Sequence, residues 1–177
     1  MSSTPPQVIF TTPRLRVRRL TVDDFDAMYA AYSDPVAMRY VDDGQPITRE
    51  DTMRWIELTL SRYETHGYGM SLAESRADDS AVVGFVGLVH PGGQPEPELK
   101  YTLRQAYWGK GYATELAQGM MAHARDDLRL REVISTINPG HTVSRRVLAK
   151  AGFRFDHLRA EDDGESTEVL VWRANVV

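Results

Sequence analysis

The sequence predicts a single α/β (α+β) domain spanning residues 1–177, with short strands and amphipathic helices sharing one central sheet. Three observations lead there. A chain of 177 residues buries roughly two thirds of the surface its unfolded form exposes, so one apolar core suffices. Several short segments alternate polar and apolar residues, as half-buried strands do, while others repeat apolar residues at helical spacing. Between one such strand and one such helix lies Trp108-Gly109-Lys110-Gly111-Tyr112-Ala113-Thr114, where two glycines turn the chain and open the helix.

In chain order, Arg14-Leu15-Arg16-Val17-Arg18 alternates and forms the first strand. Thr21-Val22-Asp23-Asp24 reads as a capping box, whose hydroxyl and carboxylate satisfy free amides at the start of a helix ending near Tyr32. Asp34 to Pro46 is a loop. A second box, Thr48-Arg49-Glu50-Asp51, opens a helix through Met53, Ile56, Leu60 and Tyr63, which His66-Gly67 stops. Tyr68 to Glu74 and Val82 to Val89 are strands joined by the Ala77-Asp78-Asp79-Ser80 turn, and Pro91-Gly92-Gly93 leads to a strand over Glu98 to Leu103. An antiparallel meander is the simplest assembly of these three. The glycine loop then opens a helix running from Thr114 to Leu128. A strand at Val133 to Ile137, a helix from Thr142 to Lys150 and strands at Phe153 to Leu158 and Val169 to Arg173 complete the chain, for about seven strands and about four helices.

Gly109 and Gly111 can take positive φ and let backbone N–H groups approach an anion, and the helix start adds about half a positive charge. The loop therefore suits a diphosphate; a plain turn is the competing reading of the same glycines. A P-loop needs Gly-x-x-x-x-Gly-Lys-Ser/Thr, whereas Arg104 stands at the first glycine position and Gly111 follows Lys110. The dinucleotide fingerprint needs Gly or Ala where Thr114 stands, which excludes that motif as well.

The absence of cysteine excludes disulfides, thiolate metal sites and a cysteine nucleophile, and suits a reducing cytoplasm. Met1 to Gln7 is polar and proline-containing, and no run reaches the length of a membrane span. A soluble cytoplasmic protein without membrane contact is expected, either a monomer or a homodimer. A net charge of −4 argues against nucleic-acid binding, and Arg14, Arg16, Arg18 and Arg19, alternating along a strand, read as a solvated face. The five histidines have no metal-ligand spacing, so no metal is expected.

The order of elements, with the glycine loop between the fourth strand and third helix, resembles the GNAT superfamily of acyl-CoA-dependent N-acyltransferases over nearly the whole chain. Thr12-Pro13-Arg14-Leu15, the segment Tyr107 to Glu115, and the segment Ser144 to Phe153 are similar to its ribosomal-protein N-terminal acetyltransferase branch. The resemblance implies a GNAT-like mixed central sheet, splayed between the fourth and fifth strands to admit the pantetheine arm of CoA. It also implies acetyl-CoA as acyl donor and direct transfer to an amine acceptor in a ternary complex, without an acyl-enzyme. The superfamily's pyrophosphate motif, Arg/Gln-x-x-Gly-x-Gly/Ala, aligns with Trp108, Gly111 and Ala113, with Trp108 replacing the usual first residue. Backbone amides of Gly109, Lys110, Gly111, Tyr112, Ala113 and Thr114 would hold the pyrophosphate, and Lys110 is also placed to approach it. Tyr101, Thr102 and Leu103 would pair with the pantetheine arm as with an added strand, and Asn138 would line the opposite wall. The Asn-x-x-Ser of many members corresponds to His141-Thr142-Val143-Ser144. Ser144 would lie near the CoA sulfur, while His141 departs from the pattern. Leu148 occupies the position where many members carry a tyrosine acid. Ser144 then either donates to the leaving thiolate or only satisfies first-turn amides of its helix.

An amine attacks a thioester only when neutral, and its reference pKa is about 7.8 for an α-amine against about 10.4 for lysine. The gap of ~2.6 units is worth roughly 3.5 kcal/mol, so an α-amine needs modest base assistance. Glu98, at the start of the fourth strand, matches a position where several family members place a glutamate base, and partial burial would raise its pKa. His90 and His141 are its rivals. The acceptor is a protein N-terminal α-amine or a small-molecule amine. A CoA-binding regulatory module without catalysis is the alternative, motivated by His141 and Leu148, and a nucleotide-binding domain of another type is a third reading.

Overall fold

Leu15 and Val17 are fully buried while Arg16 between them is exposed, as the alternation requires. The computed structural model describes residues 5–41 and 43–175, so the reading of Met1 to Gln7 falls partly outside the described residues. The elements are β1 (Val8–Thr11), β2 (Leu15–Arg19), α1 (Phe25–Tyr32), α2 (Pro35–Met38), α3 (Arg49–His66), β3 (Met70–Ser75), β4 (Val82–Val89), β5 (Glu98–Leu103), α4 (Tyr112–Asp126), β6 (Glu132–Ile137), α5 (Thr142–Lys150), β7 (Arg154–Ala160) and β8 (Ser166–Arg173). All eight strands form one mixed sheet, ordered β1-β2-β3-β4-β5-β6-β8-β7. The β3-β4-β5 meander is antiparallel as expected; β5 with β6 is the parallel neighbour. Among the described residues, no helix is long and apolar enough to cross a membrane.

Two elements exceed the sequence expectation. β1 pairs with β2 through residues too few to show an alternating pattern. Within the segment read as a loop, α2 forms because Pro35 sits at its first position and the Asp34 carboxylate accepts from the Val36 amide at 2.9 Å. The Thr21–Asp24 box is present, but it starts a short 3₁₀ turn over Val22–Asp24 before α1. Phe153 is a buried core residue just ahead of β7.

The sheet separates two cores. On one face, α4 and α5 bury Leu116, Met120, Val147 and Leu148 against Leu15, Val86, Leu99 and Leu103. On the other, α1 and α3 bury Met28, Tyr32 and Ile56 against Leu72 and Phe85. The arginine face of β2 is more than solvated. Arg18 forms ion pairs with Asp24 (2.8 Å) and Glu74 (2.6 Å), and Arg16 pairs with Glu74 at 2.6 Å. These contacts fix α1's entry and the β2–β3 register.

Candidate active site

β5 and β6 share a single register pair, Glu98 with Ile134. The Ile134 amide donates to the Pro97 carbonyl at 3.0 Å, and past it side chains take part in the contacts between the strands, Ser135 Oγ donating to the Leu99 carbonyl at 3.0 Å. Further on, the strands part. Because Pro97 and Leu99 present their carbonyls to β6, the two-residue period of a strand puts the backbones of Tyr101 and Leu103 on that side. Thr102 instead faces β4, opposite Phe85. Tyr101 thus offers an amide and a carbonyl to an extended ligand in the gap. Thr102 does not, which corrects its expected role, and the Leu103 carbonyl is already taken by the Trp108 indole N–H at 2.9 Å.

The chain leaves β5 through the glycine loop. Gly109 (φ +71°) and Gly111 (φ +81°) both lie in the left-handed region, and nothing stands within 4 Å of where a Cβ on Gly109 would be. α4 begins at Tyr112 with no side-chain cap, so its first amides remain open to an anion. These residues fit a diphosphate such as that of CoA. Lys110 and Trp108 brace the loop instead of reaching outward: Lys110 Nζ donates to the Ala106 carbonyl at 2.8 Å, and the Trp108 indole caps β5. The loop is also stapled from across the sheet. Glu115 accepts from Thr12 Oγ1 (2.5 Å), the Arg14 amide (2.9 Å) and Arg14 Nε (2.6 Å), while Arg14 Nη1 donates to the Lys110 carbonyl at 2.8 Å. Arg14 also stacks 4.1 Å above the Tyr112 ring. The sequence marks Thr12–Leu15 only as part of a resemblance, since an arginine and a glutamate a hundred residues apart leave no local signal of their contact.

A cavity of about 600 Å³ opens on the gap, lined by Lys100, Tyr101, Thr136, His141 and Ser144 and by Tyr32, Tyr40 and Trp55 among others. It is large enough for a small ligand. Ser144 is buried and its Oγ is 2.6 Å from the Tyr101 hydroxyl. Burial pushes Tyr101 up to about 12 against its hydrogen bond with Ser144, so both groups are neutral hydroxyls near pH 7. Leu148 is fully buried in the core below α5. The hydroxyl beside Ser144 comes instead from Tyr101 on β5, whose side chain the sequence did not single out. His141 stacks on Tyr40 with ring centroids 4.5 Å apart, and burial holds its imidazole below the ordinary 6.5. Among the described residues, neither of its ring nitrogens has a hydrogen-bond partner.

The other two candidate bases are engaged elsewhere. His90 Nδ1 donates to the Gln94 carbonyl at 2.9 Å, and its Nε2 is 2.9 Å from the Tyr68 hydroxyl. Glu98 is 1% exposed, and it is not among the cavity-lining residues. Its carboxylate receives Lys100 Nζ at 2.7 Å, the Thr136 amide at 3.2 Å, Gln94 Nε2 at 3.2 Å and the Thr136 hydroxyl. Burial pushes this carboxyl up, but the Lys100 charge and the Thr136 hydrogen bonds outweigh it and leave the pKa below 4.5. The expected elevation is therefore reversed: Glu98 anchors Lys100 and Thr136 and is a poor base. Asn138 is likewise committed locally, its Oδ1 accepting from the Gly140 amide at 2.8 Å to form the turn into α5.

The chain is similar to known proteins in sequence and in fold. A family model of the acetyltransferase (GNAT) domain matches residues 14–154. The uncharacterized N-acetyltransferase YnaD of Bacillus subtilis is 27% identical over 144 residues, 81% of each chain. The crystal structure of an acetyltransferase from Agrobacterium tumefaciens superposes with a TM-score of 0.80 at 25% identity, covering 98% of this chain and 97% of that one. RimL, a ribosomal L7/L12 α-N-protein acetyltransferase solved in complex with CoA, superposes with a TM-score of 0.79 at 15% identity over 94% and 98% of the two chains.

Proposed function

Since the chain belongs to the GNAT acetyltransferase family, whose acyl donor is acetyl-CoA, we propose that it acetylates a primary amine by direct attack within a ternary complex. The observation that carries this reading is the parting of β5 from β6 between the glycine loop and the Tyr101–Ser144 hydroxyl pair. The diphosphate rests on the amides from Gly109 to Thr114, and the pantetheine arm takes the free backbone of Tyr101. The thioester then lies in the cavity beside Ser144. The amine nitrogen bonds to the acetyl carbon, the C–S bond breaks, and the amine's proton passes to neutral His141. The departing thiolate accepts a hydrogen bond from Ser144, which Tyr101 backs. A small-molecule amine and a protein α-amine, the latter being RimL's acceptor class, both suit this chemistry. The cysteine-free composition supports a cytoplasmic location.

The test pairs acetyl-CoA binding with CoA release across a panel of amines. Wild-type protein is expected to bind acetyl-CoA and release CoA with at least one amine. Gly111→Glu, which places bulk and negative charge at the helix start, should lose acetyl-CoA binding. Tight binding without turnover would support the non-catalytic module instead, and unchanged affinity in Gly111→Glu would remove the cradle.

A further inference from the structure

The acceptor side of the cavity has an unusual charge balance for a protein of net charge −4. Among the described residues, no Asp or Glu lines it. Two permanent cations do, Lys100 and Arg62. Lys100 is neutralised by Glu98 at 2.7 Å. Arg62 has no carboxylate partner among the described residues. Its Nη1 donates to His66 Nε2 at 3.4 Å, a bond that requires this imidazole nitrogen to be unprotonated. Desolvation, then His90 and Arg62, lower the His66 pKa from the ordinary 6.5. Arg62 thus lines the cavity with no carboxylate partner among the described residues.

The surrounding walls are flat and apolar. Trp55 stands edge-on to Tyr32 with centroids 5.4 Å apart, Tyr40 lies stacked on His141, and Met28 and Leu58 fill between. Such a wall takes an aromatic or branched apolar body. Among the described lining residues a polycation finds no carboxylate to exchange for its lost hydration, and Arg62 would repel it.

On the reading that this cavity receives the acceptor, we propose that the acceptor is a small primary amine with an aromatic or branched apolar body and a carboxylate that seats on Arg62. The planar fork of arginine matches a carboxylate through two parallel hydrogen bonds, and Arg62 on α3 and Ser144 on α5 line the same cavity. A carboxylate on Arg62 turns the amine end toward the gap.

Phenylalanine and phenylalaninamide share a body and an α-amine and differ in the carboxylate. Their binding to the CoA-saturated protein is measured calorimetrically, with spermidine as the polycation, in wild type, Arg62→Gln and Arg62→Lys. Phenylalanine is expected to bind at least tenfold tighter than the amide in wild type. Arg62→Gln should abolish that preference while leaving the amide within twofold, and Arg62→Lys should retain part of it. Comparing variants cancels the different basicities of the two amines. The proposal is overturned if the amide or spermidine binds as tightly as phenylalanine, if Arg62→Gln keeps the preference, or if none of the three binds. CoA affinity, unchanged in both variants, reports that the fold and cradle are intact. Continued CoA release with any other amine would leave the acetyltransferase reading standing while this acceptor assignment falls.

Discussion

Removing the two hydroxyls at the gap, singly and together, tests how the leaving group is stabilised. Tyr101, pushed up to about 12, is a far weaker acid than a thiol of reference pKa about 8.5. Full proton transfer to the thiolate is uphill by ~3.5 units, or about 4.8 kcal/mol. The pair therefore acts by hydrogen bonding to charge as it develops on sulfur. A hydrogen bond to a charged group contributes about 1.5–3 kcal/mol, so Ser144→Ala should lower kcat roughly 10- to 150-fold. Tyr101→Phe removes only the group that polarises Ser144 through the 2.6 Å contact, and its defect should be smaller. If the two hydroxyls act in series, the double variant should be no slower than Ser144→Ala alone, because Tyr101 reaches sulfur only through Ser144. The assay is free-thiol release under saturating acetyl-CoA. Neither hydroxyl titrates between pH 6 and 9, so the shape of the pH–rate profile should survive all three changes. Strictly additive losses would mean that the two groups work separately, and an unchanged kcat in Ser144→Ala would refute the role altogether.

Three further outcomes follow from the same geometry. Glu98→Gln should leave the pH–rate profile above pH 6 unaltered, since Glu98 is ionised and engaged there, while costing about 1–3 kcal/mol of stability. Because its folded pKa lies below 4.5, that contribution is present above the ordinary value and is lost as pH falls through the depressed one. The melting temperatures of wild type and variant should accordingly converge in acid. His141→Gln should lose about 10²–10⁴ in kcat/KM together with an acid limb lying below the ordinary imidazole value, measured with a weakly basic amine so that the acceptor's own titration does not intervene. Retention of both rate and limb would remove His141 as the base. Gly87→Ala puts a Cβ 2.4 Å from the Gly69 carbonyl oxygen and 2.5 Å from Met70 Cα. A scanning melt should fall by roughly 2–12 °C for the ~1–3 kcal/mol of strain, and an unchanged melting temperature would show that β3 and β4 can move apart.

What the chain reveals by inspection is what depends on near neighbours. Gly109 and Gly111 announce the loop because only a left-handed backbone needs them there. Thr48 with Asp51 announces α3, whose Thr48 hydroxyl accepts from the Asp51 amide at 3.0 Å. Features made by distant partners leave no such trace. Glu98 looks like a base while it is read as a lone strand-end carboxylate, and becomes an anchor only when Lys100 and Thr136 close around it. Tyr101 looks like one more alternating strand residue until α5, forty-three positions later, brings Ser144 to its hydroxyl. Burial alone predicts a raised carboxyl pKa; Lys100, two residues along the same strand, opposes it, and the Thr136 hydrogen bonds that help reverse it need β6 beside β5.

On the proposed function, the register of β5 against β6 also gives two substrates a way to meet. Leu99 and Leu103 pack with the α4–α5 core, so alternation puts Tyr101 on that face of β5 and Lys100 on the α1–α3 face. Both nevertheless line one cavity. In an unbroken sheet this would be impossible, because a paired neighbour strand would close the space between the faces. Here β6 leaves β5 after a single register pair, and the cavity passes through the sheet. A donor held on the α4 side and an acceptor held under α1 and α3 can then approach each other along one line, from opposite faces. The separation leaves the acetyl carbon accessible to the amine without either substrate displacing the other. It also explains why the glycine loop informs only the donor: the residues proposed to choose the acceptor, Tyr40, Trp55 and Arg62 among them, precede β5 in the chain.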